Sequence, residues 1–342
     1  TFEKLGDPEQ TYPLKVFLCE KCWLMQIPEY TSYKELFNAD YAYFSSTSTS
    51  WCNHAKKYVE STINKFSLDE NNLVVEIASN DGYLLQYVKE KGISCFGIEP
   101  TKAAANEARK KGIETYESFF TSSYASNLLK STPNKKGADL IIANNVLAHV
   151  PDINDFVKGI SILLNKEGFC SFEFPHVLNL IKGCQFDTIY HEHFSYLSLY
   201  NIKLISEMFN LIVCDVEILP THGGSLRVWI CHKGNAKVSQ KVTDLLLSER
   251  QEGLMNLETY SNFQQKSERI KNDLLRFLLE ASANGKKVIG YGAAAKGNTF
   301  INFAGISKDL LNCVVDRSKS KQGKYLPGSH IPIISYEDLK ER

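Results

Sequence analysis

The chain of 342 residues has no charge of either sign to spare: 39 Lys and Arg face 39 Asp and Glu. A chain that lives on a nucleic-acid backbone usually carries a basic excess, so that class is disfavoured for the molecule as a whole. No apolar run approaches the roughly 18 residues that span a bilayer. Thr1-Phe2-Glu3-Lys4-Leu5-Gly6-Asp7 contains no signal-peptide core. Neither a nucleic-acid nor a membrane partner is expected, and the expected location is the cytoplasm. The first residue is Thr and not Met, which raises the expectation that residues precede it. Cysteine is sparse at nine, too few for a disulfide scaffold. Cys52, Cys95, Cys170, Cys184, Cys214, Cys231 and Cys313 are scattered singly and read as small buried thiols in a reducing compartment. Only Cys19 and Cys22 form a close pair, and no second CxxC follows. Apolar content of 43% and charged content of 23% are ordinary globular usage, which excludes global disorder. The length suits two or three domains.

What is present is a repeated alternation of strand-type and helix-type segments. Residues 16–26 read as a β-hairpin carrying the CxxC at its turn, and the Ser/Thr tract ending at Ser50 reads as a loop. Trp51–Phe66 reads as helix. Strands are expected at Leu73–Ile77, Cys95–Glu99, Asp139–Ala143 and Phe169–Phe174, with helices at 83–91, Lys102–Lys111 and Asp152–Leu164, the last with Asp152 as N-cap. Ile212–Leu219 and Ser225–Cys231 read as a closing antiparallel pair. Residues 236–284 read as one long helix, followed by a second, smaller β–α–β unit with strands near 287–291 and Asn312–Asp316. The fold class is α/β, with a mainly parallel sheet covered on both faces.

Two loops carry the nucleotide chemistry. The first, Glu76-Ile77-Ala78-Ser79-Asn80-Asp81-Gly82, lacks GxGxxG, so a pyrophosphate is not its natural guest. Glu99 stands at the next strand end, 17 residues after Gly82, where an acidic residue typically grips a ribose. A carboxylate at the strand end suits an ammonium-bearing nucleoside; an ordinary β–α turn is the plain alternative. The second loop, Gly290-x-Gly292-x-x-Ala295, matches GxGxxG/A between a strand and a helix, with Asp316 21 residues after Ala295. It suits a phosphate at a helix N-terminus, to which Lys296 adds charge, or is a structural turn.

Tyr190-His191-Glu192-His193 is not HExxH, so the helical zinc spacing is absent. Two imidazoles, a carboxylate and a phenol within four residues suit proton transfer near neutral pH, and a polar surface loop is the alternative. His191 and His193 share a side only on a strand. His149 follows the third strand, in Asn144-Asn145-Val146-Leu147-Ala148-His149, on the side expected to face a cofactor; a packing histidine is the alternative. Cys19 and Cys22 are half of a zinc site and bind metal only if further ligands are supplied.

Taken in order, Glu76–Gly82, Asn144–Val150, Phe172-Glu173-Phe174-Pro175, Tyr190–Tyr196, His222-Gly223-Gly224-Ser225-Leu226-Arg227, Gly290–Asn298, Asp316-Arg317-Ser318 and Gly323–Gly328 resemble the sugar C-methyltransferases. Those enzymes use S-adenosylmethionine to methylate carbon 3 of nucleotide-linked 4-keto-deoxysugars. The resemblance covers essentially the whole chain. It implies a class I methyltransferase (Rossmann-like) domain at 56–235, a zinc-module-like, substrate-covering segment at 1–55, and a Rossmann-like nucleotide-sugar lobe at 236–342. It implies S-adenosylmethionine on Glu76, Ala78, Asn80, Asp81, Gly82, Glu99, Asn144 and Asn145. It implies the substrate on His222, Arg227, Gly290, Tyr291, Gly292, Lys296, Asn298 and Asp316. Family members begin with a four-cysteine zinc module, of which this sequence has the second pair, so zinc is expected only in a longer chain.

Carbon 3 of a 4-keto sugar is no nucleophile until its α-proton leaves. His193 is the expected base, oriented by Glu192 by analogy with base–orienter pairs. Tyr190 and His149 are expected to hydrogen-bond the sugar or its enolate, with Tyr43 closing the site from the N-terminal side. Two rivals remain at this stage: an NAD-dependent oxidoreductase using Gly290–Ala295, and a catalytically idle binding protein. Tyr190 and Lys203 are too far apart for a YxxxK pair, and the intact Tyr190, Glu192 and His193 argue against idleness.

Overall fold

The computed structural model describes Gly6 and residues 8–32, 44–131 and 136–340. It divides into two compact units. One comprises Val16–Asn179 with Glu192–Met255; the other comprises Thr1–Lys15, Leu180–His191 and Asn256–Arg342.

The first unit is built on a seven-stranded sheet. Its strands are β3 (Leu73–Ile77), β4 (Ser94–Ile98), β5 (Thr115–Tyr116), β6 (Ala138–Asn144), β7 (Leu164–Pro175), β9 (Leu211–Leu219) and β10 (Ser225–His232). Their order is β5-β4-β3-β6-β7-β10-β9, parallel except at β10, which runs antiparallel to both β7 and β9. The order reverses between β3 and β6, which makes the carboxyl ends of those strands the switch point where ligands bind in open α/β sheets. Strand residues alternate between two cores. Val75, Ile77, Ile141, Ala143, Phe172, Leu226 and Val228 pack with Phe156 and Ile160 on one face. Val74, Leu140, Ile142, Trp229 and Cys231 pack with Tyr58, Leu84 and Val88 on the other. A sheet buried on both faces needs this near-continuous apolar sequence.

The helices of this unit are α1 (Thr49–Phe66), α2 (Leu85–Glu90), α3 (Lys102–Lys110), α4 (Ser122–Ser131) and α5 (Ile153–Leu163), followed by α6 (Val177–Lys182), which crosses the boundary at Asn179. After it come α7 (Leu199–Met208) and α8 (Gln240–Gln251). Asp152 caps α5 by accepting from Asp155 N, as its sequence position suggests. A second, three-stranded sheet joins the hairpin β1 (Phe17–Leu18) and β2 (Met25–Gln26) to β8 (Ser195–Tyr196).

The helix expected over 236–284 is two. The chain breaks after Gln251, with Gly253 at φ 85°, and α9 (Leu257–Ala283) begins behind the cap of Asn256. α8 stays with the first unit because its buried Glu249 accepts from Leu199 N (2.6 Å) and Tyr200 N (3.0 Å) at the start of α7, and meets His176 at 2.8 Å. The unit therefore runs to Met255, where the sequence suggested 235.

The second unit contains β11 (Gly290–Tyr291), β12 (Val314–Val315) and β13 (Ile333–Ile334), a parallel sheet in that order, with α10 (Ala295–Ala304) and α11 (Tyr336–Lys340). Leu278, Ala293, Ala304, Leu311, Val314, Leu326 and Ile333 form its core. No helix among the described residues is long and apolar enough to cross a membrane.

Candidate active site

At the carboxyl end of β3 the backbone turns through Ala78 (φ 56°), Asn80 (φ 50°) and Gly82 (φ 73°), and beyond β6 through Asn145 (φ 52°). Left-handed non-glycine residues are costly and cluster where function demands them. Gly82 is required twice over, since an added Cβ would meet Ile113 Cδ1 at 2.4 Å. Four buried polar atoms at these strand ends lack a protein partner: Glu76 Oε2, Ser79 Oγ, Asn144 Oδ1 and Asn145 Nδ2. A buried polar atom without a partner costs free energy, so this rim is built for a polar guest. One acidic, one hydroxyl and two amide groups fit an amino acid joined to a nucleoside, which is the chemistry of S-adenosylmethionine. Burial, then the charges of Glu99 and Asp81, push the Glu76 carboxyl well above the usual range. A bound ammonium would reverse that.

Glu99 is buried and holds the loop itself. Its carboxylate accepts from Asn80 N (2.9 Å), Thr101 N (2.8 Å) and Thr101 Oγ1. Burial raises its pKa against those donors. Asp81, expected on the cofactor, instead points at protein. It accepts from Ser46 N (3.3 Å) and Ser46 Oγ and pairs with Lys111 Nζ (3.2 Å), because Ser45–Thr47 lies across the loop.

Sequence reasoning missed Tyr83, Trp51, His54 and Glu173. Tyr83 is buried, and burial followed by the Glu76 charge raises its pKa well above normal. Trp51 stacks on His54 (5.0 Å between centroids) and Tyr83 (6.1 Å) and takes the edge of His222 (5.2 Å). His222 is exposed and left-handed (φ 52°). A polar–aromatic residue directly after Gly82 was the available signal for Tyr83.

Arg227, expected to bind substrate, is 5% exposed and committed to an internal cluster. It bonds Glu173 at 2.7 Å and Glu217 at 3.1 Å, its register partners on β7 and β9, and lies 4.5 Å from the Tyr58 ring. His54 Nε2 adds bonds of 2.9 and 3.0 Å to Glu173. Burial alone would raise the Glu173 pKa; the His54 hydrogen bond and the Arg227 charge pull it below the usual range.

His149 and His193 come together, with ring centroids 4.7 Å apart and edge to face. His149 Nδ1 lies 2.8 Å from the carbonyl of Glu192. A carbonyl only accepts, so Nδ1 carries the proton and Nε2 is left basic. Burial, partly offset by that bond, lowers the His149 pKa to about 4. The main chain of Glu192 thus supplies an orienting contact, and it supplies it to His149. His193 is held by its neighbours: Phe194 donates to Ala148 O (2.8 Å) and accepts from Ile27 N (2.9 Å), and β8 then pairs with β2. His191 and Glu192 form a turn, not the strand that would align His191 with His193. Tyr190 and His191 belong to the second unit, where His191 meets Pro13 O at 3.3 Å. Tyr43 lies outside the described residues.

Cys19 and Cys22 sit on the β1–β2 turn. The amides of Cys22 and Lys21 hold the Cys19 thiol below its usual pKa, whereas burial raises that of Cys22. Two thiols are too few for a closed zinc site, and among the described residues no group of three or more metal-ligating side chains forms.

In the second unit, Gly292 (φ 91°) leaves open space where a Cβ would stand, ahead of α10. Tyr291 is 73% exposed, Lys296 is exposed, and Asn298 Oδ1 is buried without a partner. Gly290 packs closely, since an added Cβ would come within 2.9 Å of Val314. Asp316 serves the loop: it accepts from Ala293 N and Ser318 N, both at 2.7 Å. Burial would raise its pKa, but those amides and Lys321 lower it. Asp316 thus braces the Gly290–Ala295 loop through Ala293 and its own turn through Ser318.

Three family models tile the chain: "Putative zinc binding domain" over residues 1–37, "Methyltransferase domain" over 52–215, and "C-methyltransferase C-terminal domain" over 220–342. C-methyltransferase NovU of Streptomyces niveus is 34% identical over 331 residues, which cover 96% of this chain and 78% of that one. Among solved structures, the PH0226 protein of Pyrococcus horikoshii overlaps 59% of this chain and all of its own (100%), at 13% identity and a TM-score of 0.46. Magnesium protoporphyrin IX methyltransferase of Synechocystis, with bound SAH, overlaps 53% and 83% at 13% identity and a TM-score of 0.41. Kinship with NovU runs through both the switch-point loop and the C-terminal unit, and by it the chain belongs to the C-methyltransferase family, as an S-adenosylmethionine-dependent enzyme.

Proposed function

We propose that the chain methylates carbon 3 of a nucleotide-diphosphate-linked 4-keto-deoxysugar in the cytoplasm. The observation that carries this reading is the His149–His193 pair, with His149 fixed as an acceptor by the Glu192 carbonyl. S-adenosylmethionine, when bound, supplies a methyl group on a sulfonium. Glu76, Ala78, Asn80, Gly82, Asn144 and Asn145 would hold it, with Glu99 bracing the loop and open to the ribose through its remaining lone pairs.

The two imidazoles then divide their roles. His149, lowered to about 4, is too weak a base to take an α-proton and accepts a hydrogen bond from a sugar hydroxyl. His193 takes the carbon-3 proton, with the Glu192 carboxylate as its orienter. Carbon 3 becomes nucleophilic as the 4-keto oxygen gathers charge. That oxygen needs a donor, which His149 in this tautomer is not; Tyr190, three residues before His193 in the sequence, is the phenol proposed for it. Gly292, Lys296 and Asn298 would hold the diphosphate, favoured by the N-terminus of α10. Zinc is proposed only where ligands beyond Cys19 and Cys22 are supplied.

The test is His193→Asn in deuterated solvent. The variant should keep both ligands, lose methyl transfer by about 10²-fold or more, and lose solvent exchange at carbon 3. Undiminished exchange would remove His193 as the base.

A further inference from the structure

Asn80 joins two distant parts of the first unit. Its main-chain N–H donates to Glu99 Oε2 at 2.9 Å, while its side-chain Oδ1 accepts from Ser45 N at 2.8 Å. The next residue repeats the pattern. Asp81 accepts from Ser46 N and Ser46 Oγ, and Lys111 Nζ meets both its carbonyl (2.8 Å) and its carboxylate (3.2 Å). Ser45 and Asp81 are both buried, so these bonds are made away from competing water. The Ser45–Thr47 turn also feeds directly into α1: Ser48 caps that helix by accepting from Trp51 N, and Cys52 Sγ reaches Ser46 O at 3.6 Å. Trp51, five residues beyond Ser46, stacks on Tyr83 just past the loop. A ligand that fixes Glu99 and Asn80 therefore also fixes what Ser45 and Ser46 bind.

We infer that Ser46 is a positioning residue for the cofactor: it anchors Asp81, and through it couples residues 44–48 to the Ala78–Gly82 loop, so that cofactor binding and seating of the Ser45–Thr47 turn favour one another. This rests on the reading of Ala78–Gly82 as the cofactor loop. Coupling of this kind is reciprocal: whatever tightens one partner tightens the other by the same factor.

Hydrogen exchange and calorimetry with S-adenosylhomocysteine test it on the full chain. Bound ligand should slow exchange at 78–82 and also at the Ser45 and Ser46 amides. Ser46→Ala should weaken binding roughly tenfold, as loss of a bond to a charged acceptor does. It should also keep protection at 78–82 while losing it at 44–48, and Ser46→Thr, which keeps the hydroxyl, should restore both. Protection confined to 78–82 in the unaltered protein, or Ser46→Ala binding at full affinity with 44–48 still protected, overturns the inference. Absence of protection at 78–82 while the ligand binds overturns the cofactor-loop reading and the inference with it.

Discussion

His149 shows how much one hydrogen bond decides at the scale of a residue. Its Nδ1 proton is held by the Glu192 carbonyl and its pKa falls to about 4 because burial penalises the cation. Unfolded, an imidazole titrates near about 6.5. Between those values the unfolded chain binds the extra proton, so stability rises with pH across the window and is lost as pH falls from about 6.5 toward about 4. The contribution is up to about 3 kcal/mol. Urea titrations should show His149→Asn losing less stability than the unaltered chain over that interval; an equal loss in both would refute the buried neutral state. Other residues teach the opposite lesson about legibility. The resemblance puts Arg227 on the substrate, yet register sets it between Glu173 and Glu217, and register is invisible without the strand pairing. Asp81 and Asp316 were likewise recognisable as loop acids, but whether such a carboxylate faces a ligand or its own loop depends on amide directions no spacing reveals.

Among the elements, the β1–β2 hairpin does more than display Cys19 and Cys22. Its second strand adds to β8, Ile27 N binds Phe194 O at 2.9 Å, and Asn201 Nδ2 reaches Cys22 O at 2.7 Å. The hairpin and the Leu147–His149 turn thus grip the His193 segment from both sides. Ile27→Pro removes one of those donors. Turnover should fall roughly ten- to hundredfold, the scale of a small misplacement of a reacting group. Titration with S-adenosylhomocysteine should be unchanged, because the cofactor loop lies on β3. Unchanged turnover would mean that the hairpin carries no part of the geometry. The hairpin itself, the β–α alternation and the closing antiparallel pair were legible because periodicity and turn residues are local signals. β5, β8 and β13 were not, since two residues carry no period and, unlike β1 and β2, these strands pair with segments that no hairpin turn joins to them.

For the whole molecule, the two units carry two different loops. One has its rim of unpartnered polar atoms at the ends of β3 and β6; the other offers an open glycine turn and the exposed Lys296 at the start of α10. Both loops could be read in sequence as nucleotide loops, and kinship with a C-methyltransferase sets aside the oxidoreductase and idle-protein readings. The central claim is that a methyl group is placed on carbon next to a ketone. The most direct measurement uses S-adenosylmethionine carrying a ¹³C-methyl label, with a nucleotide-diphosphate-linked 4-keto-deoxysugar, followed by carbon NMR of the product. The account predicts a new methyl signal coupled to carbon 3 of the sugar. A label on oxygen or nitrogen, or no transfer to any 4-keto nucleotide sugar, would contradict it.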